Sequence, residues 1–168
     1  SQFYAGVSAR YEHIQASLDF RREDKLEAIV QGFQERNIVI VHGASGQGKT
    51  TLAYRYLHDY YPATWRYQVV LIENPSHALR IASALNGQAD ALEAPIVVYI
   101  DVRPNDLNWT EIVRQLTQHK WIKVLVTVRE EDFRQATLPR YQLDYEAISL
   151  TFNACLLYTS DAADEKVR

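Results

Sequence analysis

The sequence has a single cysteine and no methionine. Cys155 cannot form a disulfide within the chain, and the five histidines are too widely scattered to suggest a metal site. Neither a disulfide framework nor a zinc cluster is therefore expected. Because the chain lacks methionine and opens on Ser1, we expect the natural start to lie upstream and the chain to be a fragment.

Long apolar runs and an excess of positive charge are also missing. No run approaches the roughly 20 apolar residues that a membrane-spanning helix needs, and no secretory leader pattern is visible at the N-terminus. The formal net charge of -3 provides no basic field that would attract a polyphosphate backbone. These absences predict a cytoplasmic protein without a membrane partner, and they argue against nucleic acid as a partner.

Patterns typical of strands and helices alternate along the central part of the sequence. Apolar residues at helical spacing predict a helix over 22–36, and the β-branched run 38–41 predicts a strand buried on both faces. A glycine-rich loop and another helix follow, and that helix ends before Pro62. Further strands are predicted over 67–72, 96–100 and 124–128, with 145–150 as a candidate fifth strand.

Two of the predicted helices carry capping signals. Asn74 followed by Pro75 predicts an N-cap and a first-turn proline for a helix carrying Leu79, Ala82 and Leu85. Asn108 and Glu111 have the spacing of a capping box before another helical stripe. Because parallel strands need a connection about as long as a helix, the alternation predicts an α/β fold with a mainly parallel sheet covered on both faces.

The string G-A-S-G-Q-G-K-T, residues 43–50, matches the phosphate-loop pattern GxxxxGK[ST] between a predicted strand and a predicted helix. Its glycines allow backbone N–H groups to point at phosphate oxygens, and the helix dipole adds to that attraction. Lys49 is expected to bridge the β- and γ-phosphates, and the Thr50 hydroxyl to coordinate Mg²⁺. A plain glycine turn is the structural alternative. The predicted nucleotide-binding residues are Gly43, Ser45, Gly46, Gln47, Gly48, Lys49, Thr50 and Thr51.

The apolar run I-V-V-Y-I-D ends in Asp101 and resembles a Walker B strand, in which the final carboxylate lies beside the phosphate loop. We assign Asp101, with Thr50, to Mg²⁺ binding, and a turn-forming aspartate is the alternative. A complete strand and helix separate the two motifs, which resembles the additional-strand division of P-loop ATPases. There a catalytic glutamate often follows the aspartate, but here Val102 and Arg103 follow, and Asp106 is the next carboxylate. Hydrolysis is therefore expected to be slow, or to need residues outside this chain.

A third polar position ends the fourth predicted strand. The string L-V-T-V-R places Arg129 where the γ-phosphate would lie, so that Lys49, Asp101 and Arg129 are the predicted catalytic residues. Because arginine suits carboxylates as well as phosphates, a helix-capping or surface role in R-E-E-D is an equal alternative for Arg129.

Together these motifs resemble the signal-transduction ATPases with numerous domains (STAND), the relatives of NACHT and apoptotic-type ATPases, over residues 18–150. The resemblance implies a three-layer P-loop NTPase sandwich of the additional-strand type, incomplete at its C-terminus. It also implies ATP or GTP with Mg²⁺ as cofactors, and a signalling switch, with defence as one setting, that oligomerises through the full-length protein. A family motif near the adenine normally reads Gly-Arg-Glu; here Arg21 replaces the glycine, so only Arg22 and Glu23 match.

The C-terminal segment has a different origin from the rest of the chain. Residues 155–165, C-L-L-Y-T-S-D-A-A-D-E, resemble one reading frame of a transposase-type adapter used in DNA sequencing libraries. We therefore divide the chain into a lead-in segment (1–21), a partial P-loop NTPase core (22–154) and a non-native tail (155–168). A short helix in the tail is the alternative, and a natural C-terminal continuation is expected to be missing.

Other functions remain compatible with a phosphate loop. A small-molecule kinase would need an arginine-rich lid, and the arginine-rich strings R-R and R-E-E-D-F-R fit that position poorly. A DNA-loading or helicase-type ATPase is disfavoured by the acidic charge balance. A nucleotide-binding interaction module without turnover stays open, because no glutamate follows Asp101.

Overall fold

The computed structural model describes residues 23–138 and 143–150, which form one α/β unit. Helices and strands alternate along the chain, as the periodicities predict. A one-turn 3-10 helix, Ala63–Trp65, precedes the second strand. The elements are α1 (Glu23–Glu35), β1 (Ile38–Gly43), α2 (Lys49–Tyr60), β2 (Arg66–Val69), α3 (Pro75–Leu92), β3 (Ile96–Asp101), α4 (Trp109–Leu116), β4 (Ile122–Arg129), α5 (Glu130–Ala136) and β5 (Tyr145–Ser149).

The five strands form one parallel sheet in the order β2-β3-β4-β1-β5. β4 lies between β1, which leads into the glycine loop, and β3, which ends in Asp101. Ile40 of β1 is in register with Val126 of β4, and Ile100 of β3 is in register with the same residue. The predicted α/β fold with an additional strand between the two motifs is therefore confirmed.

The sheet separates two apolar cores, which produces three layers. Side chains alternate between the faces along each strand, so Ile38 and Ile40 lie in one core whereas Val39 and Val41 lie in the other. Helices α3 and α4 cover the first core, where Trp109 is fully buried. Helices α1 and α2 cover the second core. Strands β1, β3 and β4 are thus buried on both sides, which explains their nearly continuous apolar runs in the sequence.

Helix α3 starts as its sequence predicts. The Asn74 side chain accepts a hydrogen bond from the His77 backbone N–H at 2.8 Å, and Pro75 occupies the first turn. The predicted apolar position Leu79 is wrong, because its side chain is 47% exposed. Ala82 and Leu85 are buried as predicted, and Ala78 and Ile81 join them on the buried face.

Strand β2 is shorter than predicted. It ends at Val69 rather than at residue 72, and Val70 and Leu71 are 54% and 42% exposed. β2 is an edge strand that pairs only with β3, so nothing on its other side extends the ladder. The chain instead turns away toward the N-cap of α3. The prediction that the strand extends to residue 72 was wrong because residues 70–72 are apolar but do not pair with β3.

The predicted capping box of α4 is also wrong. Asn108 has φ -70° and ψ -19°, which is helical backbone, and its side chain makes no capping hydrogen bond. An N-cap residue normally has extended backbone, which brings its side chain back to the first turn. Glu111 instead accepts hydrogen bonds from Arg114 and from the Gln115 side chain, while Asp106 accepts one from the Asn108 backbone N–H at 2.8 Å.

Several predictions lie outside the described residues. These concern the lead-in segment, Arg22 of the adenine-proximal motif, Cys155 and the adapter-like tail. Among the helices of 23–138, none is both long enough and apolar enough to cross a lipid bilayer.

Candidate active site

The phosphate loop connects the end of β1 at Gly43 to the start of α2 at Lys49. Gly46 and Gly48 have φ angles of 81° and 83°, in the left-handed region that residues with a Cβ atom rarely adopt. Gly48 is also the N-cap of α2, and its carbonyl accepts the Leu52 N–H at 3.1 Å. The loop therefore ends at a helix N-terminus whose backbone N–H groups attract anions.

Gly43 is required for a different reason, namely a close approach between two backbones. A Cβ atom at this position would lie 2.3 Å from the Leu150 carbonyl oxygen. The Leu150 N–H donates to the His42 carbonyl at 2.8 Å, which continues the pairing of β1 and β5 into the start of the loop. The first glycine of the motif thus allows β5 to pack beside the loop.

Lys49 lies over the loop that it follows. Its Nζ donates to the Ala44 carbonyl at 2.9 Å. Burial lowers the pKa of the Lys49 ammonium below its usual range, and the carboxylate of Asp101 acts in the opposite direction. A partly desolvated cation beside a helix N-terminus is well suited to a phosphate.

Asp101 accepts the last hydrogen bond of a short chain in which Thr127 of β4 lies between Tyr99 and Asp101 of β3. The Thr127 hydroxyl donates to Asp101 Oδ1 at 2.9 Å, and the Tyr99 hydroxyl lies 2.7 Å from the same Thr127 oxygen. Since Thr127 has one hydroxyl hydrogen, Tyr99 must be the donor in the second contact. Tyr99 is fully buried and is also hydrogen-bonded to Thr50, so it links both predicted magnesium residues.

The donors at this site fit Mg²⁺. Thr50 and Asp101 offer a hydroxyl and a carboxylate, the hard oxygen ligands that this ion takes beside substrate phosphates. Asp101 Oδ2 makes no hydrogen bond within the described residues, so it can face a metal-bound water. Burial keeps the pKa of Tyr99 well above its usual value, so this hydroxyl stays a donor.

Arg129 is held by a buried carboxylate. Its Nε donates to Asp132 Oδ2 at 2.8 Å, and Asp132 is only 1% exposed. The other oxygen of Asp132 accepts the Asn105 backbone N–H at 3.0 Å, where Asn105 has a φ of 67°. Asp132 therefore ties β4 to the loop after β3. Arg129 still lines the cavity described next, so the structure accommodates both the carboxylate partner and a phosphate partner.

One cavity of about 440 Å³ lies at the carboxyl ends of β1, β3 and β4. Six of the predicted site residues meet there: Ser45, Gly46, Lys49, Thr50, Asp101 and Arg129. Gly43, Gln47, Gly48 and Thr51 do not line it. The complete lining is Ser45, Gly46, Lys49, Thr50, Tyr54, Gln68, Val69, Val70, Asp101, Val102, Arg103, Pro104, Thr127, Val128 and Arg129.

Asp106 does not take the place of a catalytic acid in this cavity. It lies outside the lining, and its carboxylate accepts the Asn108 backbone N–H. Burial raises the pKa of Asp106 above its usual value. Val102 is buried in the core, and Arg103 is exposed at the rim. Asp101 is therefore the only carboxylate among the residues that line the cavity.

Sequence reasoning missed two residues that line the cavity, Tyr54 and Gln68, and one that lies behind it, Tyr99. Tyr99 and Asp101 point to the same face because they are two residues apart in one strand, so alternation alone could have flagged Tyr99. Tyr54 packs edge-on against Tyr99 with ring centroids 5.9 Å apart. Gln68 belongs to β2, and no motif in the sequence connects it with the phosphate loop.

Known structures share this architecture. A STAND protein with a tetratricopeptide repeat sensor from Pyrococcus horikoshii is 17% identical, with a TM-score of 0.54, and the match covers 87% of this chain but 25% of that one. A chain in the HORMA:CdnC:Trip13 complex of Escherichia coli MS115-1 is 15% identical, with a TM-score of 0.57, over 95% of this chain and 72% of that one. At such identities the likeness concerns the fold. This chain spans about a quarter of the Pyrococcus protein.

Sequence comparison identifies the family. No curated protein matches the sequence significantly. The model of a family described as Novel STAND NTPase 5 matches residues 1–140, well over half of the chain. The phosphate loop, the Asp101 strand and the sheet order agree with that match, and the chain belongs to the Novel STAND NTPase 5 family.

Proposed function

We propose that this chain binds ATP with Mg²⁺ and hydrolyses it slowly, as the switch domain of a multidomain signal-transduction ATPase. One observation carries the proposal: Lys49, Thr50 and Asp101, from two motifs about fifty residues apart in sequence, line the same cavity. The adjacent helix N-terminus adds an attraction for phosphate. GTP is the alternative nucleotide, since no base-reading residue lies among the cavity lining.

Each residue has a distinct role in the proposed mechanism. Lys49 neutralises charge on the β- and γ-phosphates, and the loop N–H groups hold the phosphate oxygens. Thr50 and Asp101 would hold Mg²⁺, which draws charge from the phosphates as bond breaking proceeds. Arg129 faces the γ-phosphate and exchanges part of its contact with Asp132 for that group. The presence or absence of the γ-phosphate would thereby change the contacts of Asp132, which also binds the loop at Asn105.

We expect slow turnover because neither of the two residues after Asp101 is a glutamate. The positions that often supply a catalytic glutamate hold Val102, packed in the core, and Arg103. The same observation favours a second candidate, a nucleotide-binding interaction module without turnover. Oligomerisation on nucleotide exchange, in a defence or other signalling setting, is proposed for the full-length protein, of which this chain would be the cytoplasmic ATPase core.

Titration with a fluorescent ATP analogue tests the proposal. Lys49→Ala removes the charge that faces the phosphates, and we expect it to weaken affinity by about 10- to 100-fold. Lys120→Ala, which removes an exposed lysine outside the cavity, serves as the matched control and should bind like the parent. Unchanged affinity in Lys49→Ala would exclude the phosphate-loop site.

A further inference from the structure

Gln68 is a buried polar residue whose side chain faces the cavity. It lies on β2, in register with Tyr99 of β3. Its neighbours Tyr67 and Val69 pack into the core beneath α3 and α4, so alternation directs Gln68 to the opposite face, toward Tyr54 and Tyr99. Only 8% of Gln68 is exposed, and it lines the cavity with Lys49 and Asp101.

The amide of Gln68 has no hydrogen-bond partner among the described residues. The Gln68 amide is not among the fully enclosed polar atoms that lack a partner, so it is accessible from the cavity that it lines. An amide in this position can bond to a ligand, or to a ligand-bound water, that enters the cavity.

The other residues that line the cavity indicate which role the Gln68 amide can have. Asp101 is the only carboxylate that lines the cavity, and it is assigned to Mg²⁺. Lys49, Arg103 and Arg129 can donate hydrogen bonds but cannot accept them. Hydroxyl oxygens on the phosphate loop, α2 and β4 can also accept, and Gln68 Oε1 supplies a neutral acceptor for a water hydrogen on the β2 side of the cavity. A glutamine orients the attacking water in other phosphoryl-transfer sites.

We propose that Gln68 orients the water that attacks the γ-phosphate, in place of a glutamate after Asp101; this rests on the proposed function. The water oxygen bonds to the γ-phosphorus as the bond to the β,γ-bridging oxygen breaks, and that electron pair stays on the bridging oxygen. One water hydrogen remains on the phosphate product, and one proton leaves to solvent. The amide accepts a hydrogen bond but takes no proton, which accounts for slow turnover.

Three variants of the complete chain test this role. Gln68→Leu keeps the side-chain volume and removes the acceptor, Gln68→Glu restores an acceptor, and Gln88→Leu makes the same change on the exposed face of α3. We expect Gln68→Leu to lower kcat by about 100-fold while the affinity for Mg–ATP stays at the parent value. Gln68→Glu, which restores an acceptor, should recover turnover relative to Gln68→Leu, and Gln88→Leu should keep the parental rate.

A second readout does not depend on turnover. ADP with aluminium fluoride resembles the transition state and includes the attacking water, so Gln68→Leu should bind it more weakly than the parent does. Gln88→Leu should bind it as the parent does, and Gln68→Glu should bind it more tightly than Gln68→Leu. Thermal unfolding of all variants checks that each is folded.

The outcomes separate this inference from the function on which it rests. Parental turnover in folded Gln68→Leu overturns the inference, as does an equal loss of Mg–ATP affinity and kcat, because that would make Gln68 a binding or packing residue. A parent chain that binds Mg–ATP without hydrolysing it overturns the role of Gln68 and leaves nucleotide binding intact. A parent chain that binds no nucleotide overturns both.

Discussion

At the scale of single residues, the hydrogen of the Thr127 hydroxyl determines how Asp101 is held. It goes to Asp101 Oδ1, so the Tyr99 hydroxyl must donate to Thr127, and the three groups form a directed chain. Fixing one carboxylate oxygen leaves the other oriented for a metal-bound water. The order of donors thus favours a preorganised Mg²⁺ site over a freely rotating carboxylate.

Tyr99→Phe removes the buried donor at the start of this chain. We expect it to weaken Mg²⁺-dependent nucleotide binding by about 1 kcal/mol, which is roughly fivefold in affinity, and to leave binding without Mg²⁺ unchanged. Isothermal titration with and without Mg²⁺ measures both. Tyr60→Phe makes the same chemical change on an exposed ring outside the cavity and should match the parent. Equal losses with and without Mg²⁺ would assign Tyr99 to packing alone.

Asp101→Asn removes the charge but keeps an oxygen that can accept from Thr127. We therefore expect a folded protein that still binds nucleotide and has lost Mg²⁺-dependent turnover. Phosphate release at increasing Mg²⁺ concentration measures the loss. Hydrolysis at the parental rate in this variant would remove Asp101 from the metal site.

At the scale of elements, the packing of β5 against β1 sets the geometry at the start of the phosphate loop. The backbone of Leu150 passes so close to Gly43 that no side chain fits between them. β5 also pairs with β1 from Ile38 to His42, so strand and loop share one rigid edge. The first glycine of the motif is thus required by strand packing.

Gly43→Ala tests this packing. The added Cβ would meet the Leu150 carbonyl at 2.3 Å, and the shift it forces should lower the free energy of unfolding by about 1–3 kcal/mol. Gly87→Ala is the control: it lies in α3 with open space around it and should stabilise by about 0.5–1 kcal/mol. Urea unfolding measures both. A parental midpoint for Gly43→Ala would contradict the close approach.

Local signals located the elements better than they located the element ends. The Asn74 cap of α3 was predictable because the capping contact spans three residues of one segment. The end of β2 was not, because β2 has only one strand to pair with, and the chain leaves that edge before residue 70. The predicted cap of α4 was wrong because the backbone of Asn108 is helical. Its N–H donates to the Asp106 carboxylate, two residues earlier, instead.

At the scale of the whole molecule, the sheet order brings distant segments to one edge. β1, β4 and β3 are neighbours, so the glycine loop, Arg129 and Asp101 lie side by side although they are far apart in sequence. Ligands of open α/β sheets bind at the carboxyl ends of the strands for this reason. A nucleotide at this edge would contact three strand ends at once.

Such contacts should stabilise the folded chain. A ligand that binds only the folded state at about 100 times its Kd adds about 2.7 kcal/mol to the free energy of unfolding. We expect Mg–ATP to raise the urea midpoint of the parent accordingly and to stabilise Lys49→Ala by only about 0.4–1.4 kcal/mol at the same concentration. No shift in the parent at millimolar Mg–ATP would contradict nucleotide binding by this cavity.

The sequence by itself determined the phosphate loop, the alternation of strands and helices, and the parallel α/β class. Each of these is a pattern within a short segment, where spacing alone places side chains on a helix face, a strand face or a turn. Lys49, Thr50 and Asp101 could be selected for that reason. The STAND resemblance rested on the same local motifs and agrees with the family match.

The tertiary structure alone decided which other residues share the site. Thr127 meets Tyr99, 28 residues away, Asp132 holds the loop at Asn105, and Gln68 enters the cavity from an edge strand. These contacts depend on which strands are lateral neighbours and on the pairing register. Strand order is a property of how the whole chain packs, so no local spacing encodes it.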